Sequence, residues 1–111
     1  MNGQGKPGGR WIQLWRAVKA EELDSIRRLD AFTNIPGIER KYFTATLAGA
    51  RAYAQLASLS YGDGPYFLVA TWGDASLLPP DCWATVDRGI EIVAVPTELL
   101  YLLAPPTIVE E

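Results

Sequence analysis

Hydrophobic side chains occur along this chain in short runs separated by turns rich in glycine and proline. Residues 66–72 are almost continuously apolar, aromatic or β-branched, which predicts an interior strand covered on both faces. Similar runs predict strands at residues 11–18, 83–86 and 90–95, the last closed by a proline. Residues 97–100 are compatible with one helical turn, and residues 104–111 either add an edge strand or fray.

Two other segments carry apolar residues at helical spacing. In residues 20–30, Leu23, Ile26 and Leu29 recur on one face. Acidic residues occupy the first turns of this segment and two arginines lie near its end, as the helix dipole favours. We interpret its charged side chains as a solvated face.

The second helical segment follows a strand without a break, within residues 41–55. Aromatic and hydroxyl residues form the strand, and after Thr46 the sequence becomes alanine-rich at helical spacing. Thr46 is placed to cap the first turn of this helix. Because the inner face of the helix is almost all alanine, its backbone can approach a sheet or a ligand closely. This order of strands and helices predicts a small α+β domain.

Composition and charge limit the classes of function. The chain has 111 residues, 49% hydrophobic and 21% charged, which predicts one folded domain at residues 11–111 after a flexible, glycine-rich linker at residues 1–10. A net charge of −3 argues against a broad electrostatic grip on nucleic acid or on an acidic membrane. No apolar run is long enough to cross a bilayer, and the first residues lack a signal-peptide pattern.

Two residue types that often carry chemistry are scarce or absent. Cys82 is the only cysteine, so neither a disulfide within the chain nor a cysteine metal cluster can form, and we expect a small buried residue. The chain has no histidine, which excludes histidine-based catalytic triads and histidine metal sites. We therefore expect no metal centre.

Three motifs, in order, give the chain a resemblance to a known family. They are Leu-Trp-Arg-Ala-Val at residues 14–18, Lys-Tyr-Phe-Thr-Ala-Thr at residues 41–46, and Glu-Ile-Val-Ala-Val-Pro at residues 91–96. Together they resemble the ADP-ribosyltransferase superfamily, in particular the small effector domains at the C-termini of bacterial polymorphic toxins. The resemblance covers most of residues 11–103. It implies a split β-sandwich of two small, mostly antiparallel sheets with two flanking helices.

The resemblance also assigns residues to an NAD site. Arg16 would hold the ribose or the phosphates of NAD, and its planar guanidinium suits phosphate oxygens. Thr44 and Thr46 would form the hydroxyl motif of the pocket, with Thr44 supporting Glu91 by a hydrogen bond. An arginine within a strand otherwise lies either on a solvated edge or in a polar cleft.

Aromatic residues supply candidates for stacking on the nicotinamide ring. Tyr42 or Phe43 would take this role, although an aromatic residue before a helix commonly belongs to the core. Tyr53, on the following helix, is a second ring candidate with the same core alternative.

Glu91 would be the catalytic carboxylate. Cleavage of the nicotinamide–ribose bond develops positive charge on the ribose, and a fixed carboxylate stabilises that charge. Its apolar neighbours Ile90 and Ile92 would strengthen the field. The structural alternative is an exposed glutamate that alternates with apolar residues on a half-buried strand.

Departures from the family restrict the assignment. Without histidine the chain is nearest to the Arg-Ser-Glu variants, with Thr-Ala-Thr in place of Ser-Thr-Ser. Gly89 stands two residues before Glu91, where many members that modify protein side chains carry Glu or Gln.

The implied function is an NAD-dependent mono-ADP-ribosyltransferase toxin that modifies a protein or RNA of a competing cell. It implies secretion, delivery into the target-cell cytoplasm and a cognate immunity protein. The alternative is a non-catalytic protein-binding module on the same fold.

Overall fold

A computed structural model describes residues 10–62, 64–83, 85–87 and 89–110 of the chain. Within these ranges the strands are β1 (Trp11–Val18), β2 (Arg40–Thr44), β3 (Phe67–Asp74), β4 (Thr85–Asp87), β5 (Ile90–Pro96) and β6 (Thr107–Glu110). The α-helices are α1 (Ala20–Leu29) and α2 (Leu47–Tyr61). Three short 3₁₀ segments lie at Ala75–Leu77, Pro80–Trp83 and Thr97–Leu102.

Most of the predicted elements are confirmed. β1 and α1 begin at the predicted residues, and β3 is an interior strand whose residues 68–71 are buried. The short strand predicted at residues 83–86 lies at 85–87 instead, because Trp83 belongs to the 3₁₀ segment that begins at Pro80. The C-terminal residues form edge strand β6 against β3.

The two helices pack against opposite faces of the sheet. α1 buries Leu23 and Ile26 in a core cluster with residues of β1, β2, β3 and β5 that the pairing register places on one face. α2 lies on the other face through Ala50 and Ala57, which are buried. At the start of α2, a β-carbon on Gly49 would lie only 3.3 Å from the Thr44 side chain. The close approach predicted for the alanine-rich helix is therefore confirmed.

The described strands form one antiparallel sheet in the order β4-β5-β2-β1-β3-β6, and the expected pair of separate sheets is not confirmed. β1 pairs with β3 from Trp11–Asp74 to Val18–Phe67, and β2 pairs with β5 along its whole length. β1 and β2, however, are joined at only one residue pair, Trp15 with Thr44. This single pair lies at the last residue of β2 and makes the sheet continuous, and residues 40–43 of β2 have no ladder partner on β1.

Arg10 is the first residue that the structure describes, and it contacts the end of β3. Residues 1–9 of the predicted linker lie outside the described residues. Arg10 is held in place, because its amide donates to Asp74 Oδ1 at 3.0 Å and its carbonyl accepts from the Ala75 amide at 2.7 Å. None of the helices in the described part of the chain is both long and apolar enough to cross a membrane.

Candidate functional site

A cleft of about 450 Å³ opens where β1 and β2 separate. Its walls come from the end of β1, the start of α1, strand β2, the first half of α2 and one residue of β5, together with Lys19 between β1 and α1 and Tyr66 before β3. Two strands that diverge within a sheet leave backbone groups without ladder partners, which favours a polar cavity at that point. Five of the residues assigned to NAD binding from the sequence line this cleft: Arg16, Tyr42, Phe43, Thr44 and Tyr53.

Arg16 bridges the gap between the two strands. Its Nη1 donates to the Tyr42 carbonyl at 2.8 Å, so the guanidinium bonds a β2 carbonyl across the point of separation. Its Nε and Nη2 donate to the two carboxylate oxygens of Glu22 at 2.7 and 2.8 Å. Of the two alternatives left open by the sequence, the structure therefore places Arg16 in a polar cleft.

Glu22 is the centre of a three-residue ionic network. Its Oε2 also accepts from Lys41 Nζ at 3.1 Å, and the Lys41 side chain is only 6% exposed. Burial on its own raises the pKa of Glu22, but hydrogen bonds and charge from Arg16, then Lys41, outweigh it and hold the pKa below its ordinary value. Burial, followed by repulsion from Arg16, lowers the pKa of Lys41.

The aromatic candidates separate into one core residue and two accessible rings. The Phe43 side chain is 1% exposed and packs edge-on against Phe32, with ring centroids 5.0 Å apart. The Tyr42 side chain is 52% exposed and that of Tyr53 is 37% exposed. Of the two residues proposed for nicotinamide, the ring open to a ligand is Tyr42.

The two threonines hold the corner between β2 and α2. The Thr46 hydroxyl accepts from the Gly49 amide at 2.9 Å, which confirms the predicted helix cap. The Thr44 hydroxyl donates to the Thr46 carbonyl at 2.7 Å. This bond supports the corner, whereas the sequence predicted a bond from Thr44 to Glu91. Thr46 is not among the cleft-lining residues, whereas Thr44 is.

Glu91 lies beside the cleft and does not line it. It is exposed, and it precedes Ile92, which does line the cleft. The register aligns Trp15, Thr44 and Ile92 across three strands. Residues one position away from this row point to the other face, so Arg16 and Glu91 share a face, one on either side of the row. The spacing of strands and residues puts their Cα atoms about 12 Å apart.

Sequence reasoning missed the partners of Arg16. Glu22 was interpreted as part of a solvated helix face, and Lys41 was given no role. The available signal was the charge of Arg16 itself, because an arginine among apolar strand residues requires an acceptor. Glu22 is six residues further on, beyond a one-residue connection between β1 and α1.

Other reactive groups give no second centre. Cys82 is fully buried as expected, and burial raises the pKa of its thiol, which disfavours the reactive thiolate. Within the described ranges, His, Cys, Asp and Glu form no group of three that could hold a metal ion.

Comparison with known proteins adds no assignment. No protein-family model, no curated protein and no solved structure matches this chain. Any function therefore rests on the residues and geometry of the cleft.

Proposed function

We propose that this chain is an NAD-dependent mono-ADP-ribosyltransferase whose NAD site is the cleft between β1 and β2. The supporting observation is convergence. Arg16, Tyr42 and Tyr53 come from three different elements and line one cavity. The sequence assigns Arg16 to NAD from the motif at residues 14–18, and Tyr42 and Tyr53 from the segment at residues 41–55. Arg16 and Tyr42 are 26 residues apart along the chain, so their presence in one cavity is not a consequence of sequence proximity.

The size and chemistry of the cleft suit a nucleotide. Sites for small molecules commonly enclose about 300–1,000 Å³ and combine apolar walls with a few convergent polar groups. Here the accessible rings of Tyr42 and Tyr53 offer faces for planar groups, and Arg16 offers a fixed guanidinium for phosphate oxygens.

The finer fold proposal rests on the single connection between β1 and β2. With only Trp15 and Thr44 paired, the halves β4-β5-β2 and β1-β3-β6 are nearly independent, as in a split β-sandwich. The cleft lies at the junction of the two halves. An ADP-ribosyltransferase-like arrangement is the fold that we propose on this basis.

Glu91 is the proposed catalytic residue at the edge of the cleft. In the reaction the bond between ribose C1′ and the nicotinamide nitrogen breaks, and its electron pair leaves with neutral nicotinamide. Positive charge then develops on the ribose, and a carboxylate on the same face as Arg16 stabilises it. A nucleophile of the acceptor then attacks C1′ and releases its proton.

One observation favours a second candidate, a binding module without catalysis. Glu91 is outside the cleft lining, so a ligand can occupy the cavity without meeting this carboxylate. Exposed tyrosines away from the cleft, such as Tyr61 and Tyr101, are suitable for a protein interface.

Nicotinamide release and NAD binding distinguish the two candidates. We expect the purified chain to release nicotinamide, Glu91→Gln to abolish release while still binding NAD, and Arg16→Gln to weaken binding. Glu98→Gln, a change of another exposed glutamate outside the cleft, is the matched control and should retain full activity. NAD binding without release in the unmodified chain would exclude the transferase, and absence of binding at millimolar NAD would favour the protein-binding module.

The acceptor and the partner are further parts of the proposal. Incubation with labelled NAD and a bacterial lysate should transfer label to one class of macromolecule, protein or RNA. A toxin of this kind would act in the cytoplasm of the target cell after delivery from the producer. A cognate immunity protein that covers the cleft should abolish labelling and should fail to do so for an unrelated transferase.

A further inference from the structure

Lys41 is the one buried residue with a formal charge among those the structure describes. It lies on β2, next to Tyr42, and its Nζ contacts Glu22 Oε2 at 3.1 Å. The same oxygen accepts from Arg16 Nε at 2.7 Å. A lysine ammonium is strongly hydrated in water, so burying it opposes folding unless the site compensates.

The orientation of Arg16 does not require this lysine. Glu22 already binds Arg16 through two parallel hydrogen bonds, which fix the guanidinium plane. Buried ion pairs commonly contribute no more stability than apolar residues of the same volume. Repulsion between Lys41 and Arg16 adds to the cost of burial. A purely structural role therefore does not explain why a lysine is buried at this position.

The charge of the network supplies an explanation. Arg16 and Glu22 together are neutral, so an anionic ligand near Arg16 would also meet the carboxylate. Because Lys41 also contacts Glu22, the three side chains together carry a net charge of +1. An anionic ligand at Arg16 would therefore meet a net positive charge. Lys41 supplies this charge without lining the cavity, and the two remaining charged residues of the lining, Lys19 and Glu21, have opposite charges.

We propose that Lys41 and Glu22 are positioning residues for a phosphate-binding subsite at Arg16, in which Glu22 orients the guanidinium and Lys41 cancels the charge of Glu22. The inference rests on the proposed nucleotide site and names its chemical class of ligand, a nucleoside diphosphate. Two of the five N–H groups of Arg16 remain after its bonds to Glu22 and to the Tyr42 carbonyl, enough for a phosphate oxygen.

Titration calorimetry with ADP and with adenosine tests this assignment through charge. Lys41→Met leaves the network neutral, and we expect ADP affinity to fall about tenfold, the scale for losing one unit charge several ångströms away in a partly buried site. Adenosine, which has no phosphate, should bind unchanged. Lys41→Arg should retain ADP affinity because it keeps the charge.

The decisive variant combines Lys41→Met with Glu22→Gln. It restores the net charge of +1 on Arg16, and the glutamine carbonyl keeps one acceptor that can orient the guanidinium. ADP affinity should therefore recover to within about threefold of the unmodified chain, since the charge of the network sets most of it. Arg28→Gln, which removes an exposed cation outside the cleft, is the matched control and should not change affinity. Thermal unfolding of each variant identifies any that is unfolded, and Lys41→Gln then replaces Lys41→Met.

Defined results would overturn the subsite. They are an equal loss of ADP and adenosine affinity in Lys41→Met, no recovery in the double variant, or no ADP binding by the unmodified chain. The test is separable from catalysis. If ADP binds with the expected charge dependence and NAD is not cleaved, the transferase proposal fails and the subsite stands. If NAD is cleaved and Lys41→Met leaves its KM unchanged, the subsite fails alone.

Discussion

Replacement of Glu22 by glutamine should destabilise the fold in a pH-dependent way. The change removes the carboxylate that Arg16 and Lys41 share, at 2.7 and 3.1 Å, and leaves two cations near each other. Glutamine has nearly the same shape and keeps one carbonyl oxygen as an acceptor. The substitution therefore tests charge with little change in packing.

The expected loss at neutral pH is about 2 kcal/mol. Removing one partner of a fully buried ion pair costs about 3–5 kcal/mol. The Arg16 and Glu22 side chains are 22% and 23% exposed, so water screens part of the interaction, and we reduce the figure by about half.

The sign of the pH dependence follows from the depressed pKa of Glu22. A carboxyl whose pKa is lower in the folded state than its ordinary value of 4.5 stabilises the fold above that value. The contribution disappears as the pH falls through the folded-state pKa, because the folded and unfolded chains then both carry a protonated carboxyl. The difference between the unmodified chain and Glu22→Gln should therefore shrink towards zero as the pH falls below the folded-state pKa of Glu22.

Urea unfolding followed by tryptophan fluorescence measures this difference. With a slope of about 1.5 kcal/mol per molar, a loss of 2 kcal/mol lowers the midpoint at pH 7 by about 1.3 M. Glu98→Gln, which changes an exposed glutamate, should stay within about 0.5 kcal/mol at every pH. Equal midpoints for Glu22→Gln and the unmodified chain at pH 7, or a difference that does not change with pH, would refute the reasoning.

Three further substitutions test the corner and walls of the cleft. Thr46→Ala removes the acceptor of the Gly49 amide and should cost about 1 kcal/mol in urea unfolding, whereas Thr46→Ser should retain most of it. Phe43→Ala empties a buried position and should cost about 4 kcal/mol; a cost below 1 kcal/mol would contradict its place in the core. Tyr42→Ala should weaken NAD binding with little change in stability, and Tyr101→Ala, at a more exposed site outside the cleft, should change neither.

The strands and helices of this protein can be predicted without coordinates, because each depends on residues that are neighbours along the chain. The apolar run of β3 marks an interior strand, and the alanines after Thr46 mark a helix that packs closely. Thr46 was identifiable as a cap since the cap and the amide it binds are three residues apart. Arg16 was identifiable as unusual because a charge within an apolar strand is visible without coordinates.

The pairing of these strands and the contacts between their side chains could be read only from the three-dimensional structure. The single pair of Trp15 with Thr44 makes the difference between one continuous sheet and two separate sheets. A hydrophobic pattern does not show where the hydrogen bonds between two strands end. The divergence of β2 from β1 also opens the cleft. Along β2, Tyr42 is exposed and Phe43 is buried in the core. Lys41 shares Glu22 with Arg16 because the diverging strands bring the two cations to one carboxylate, an arrangement set by distances in space and not by separations along the chain.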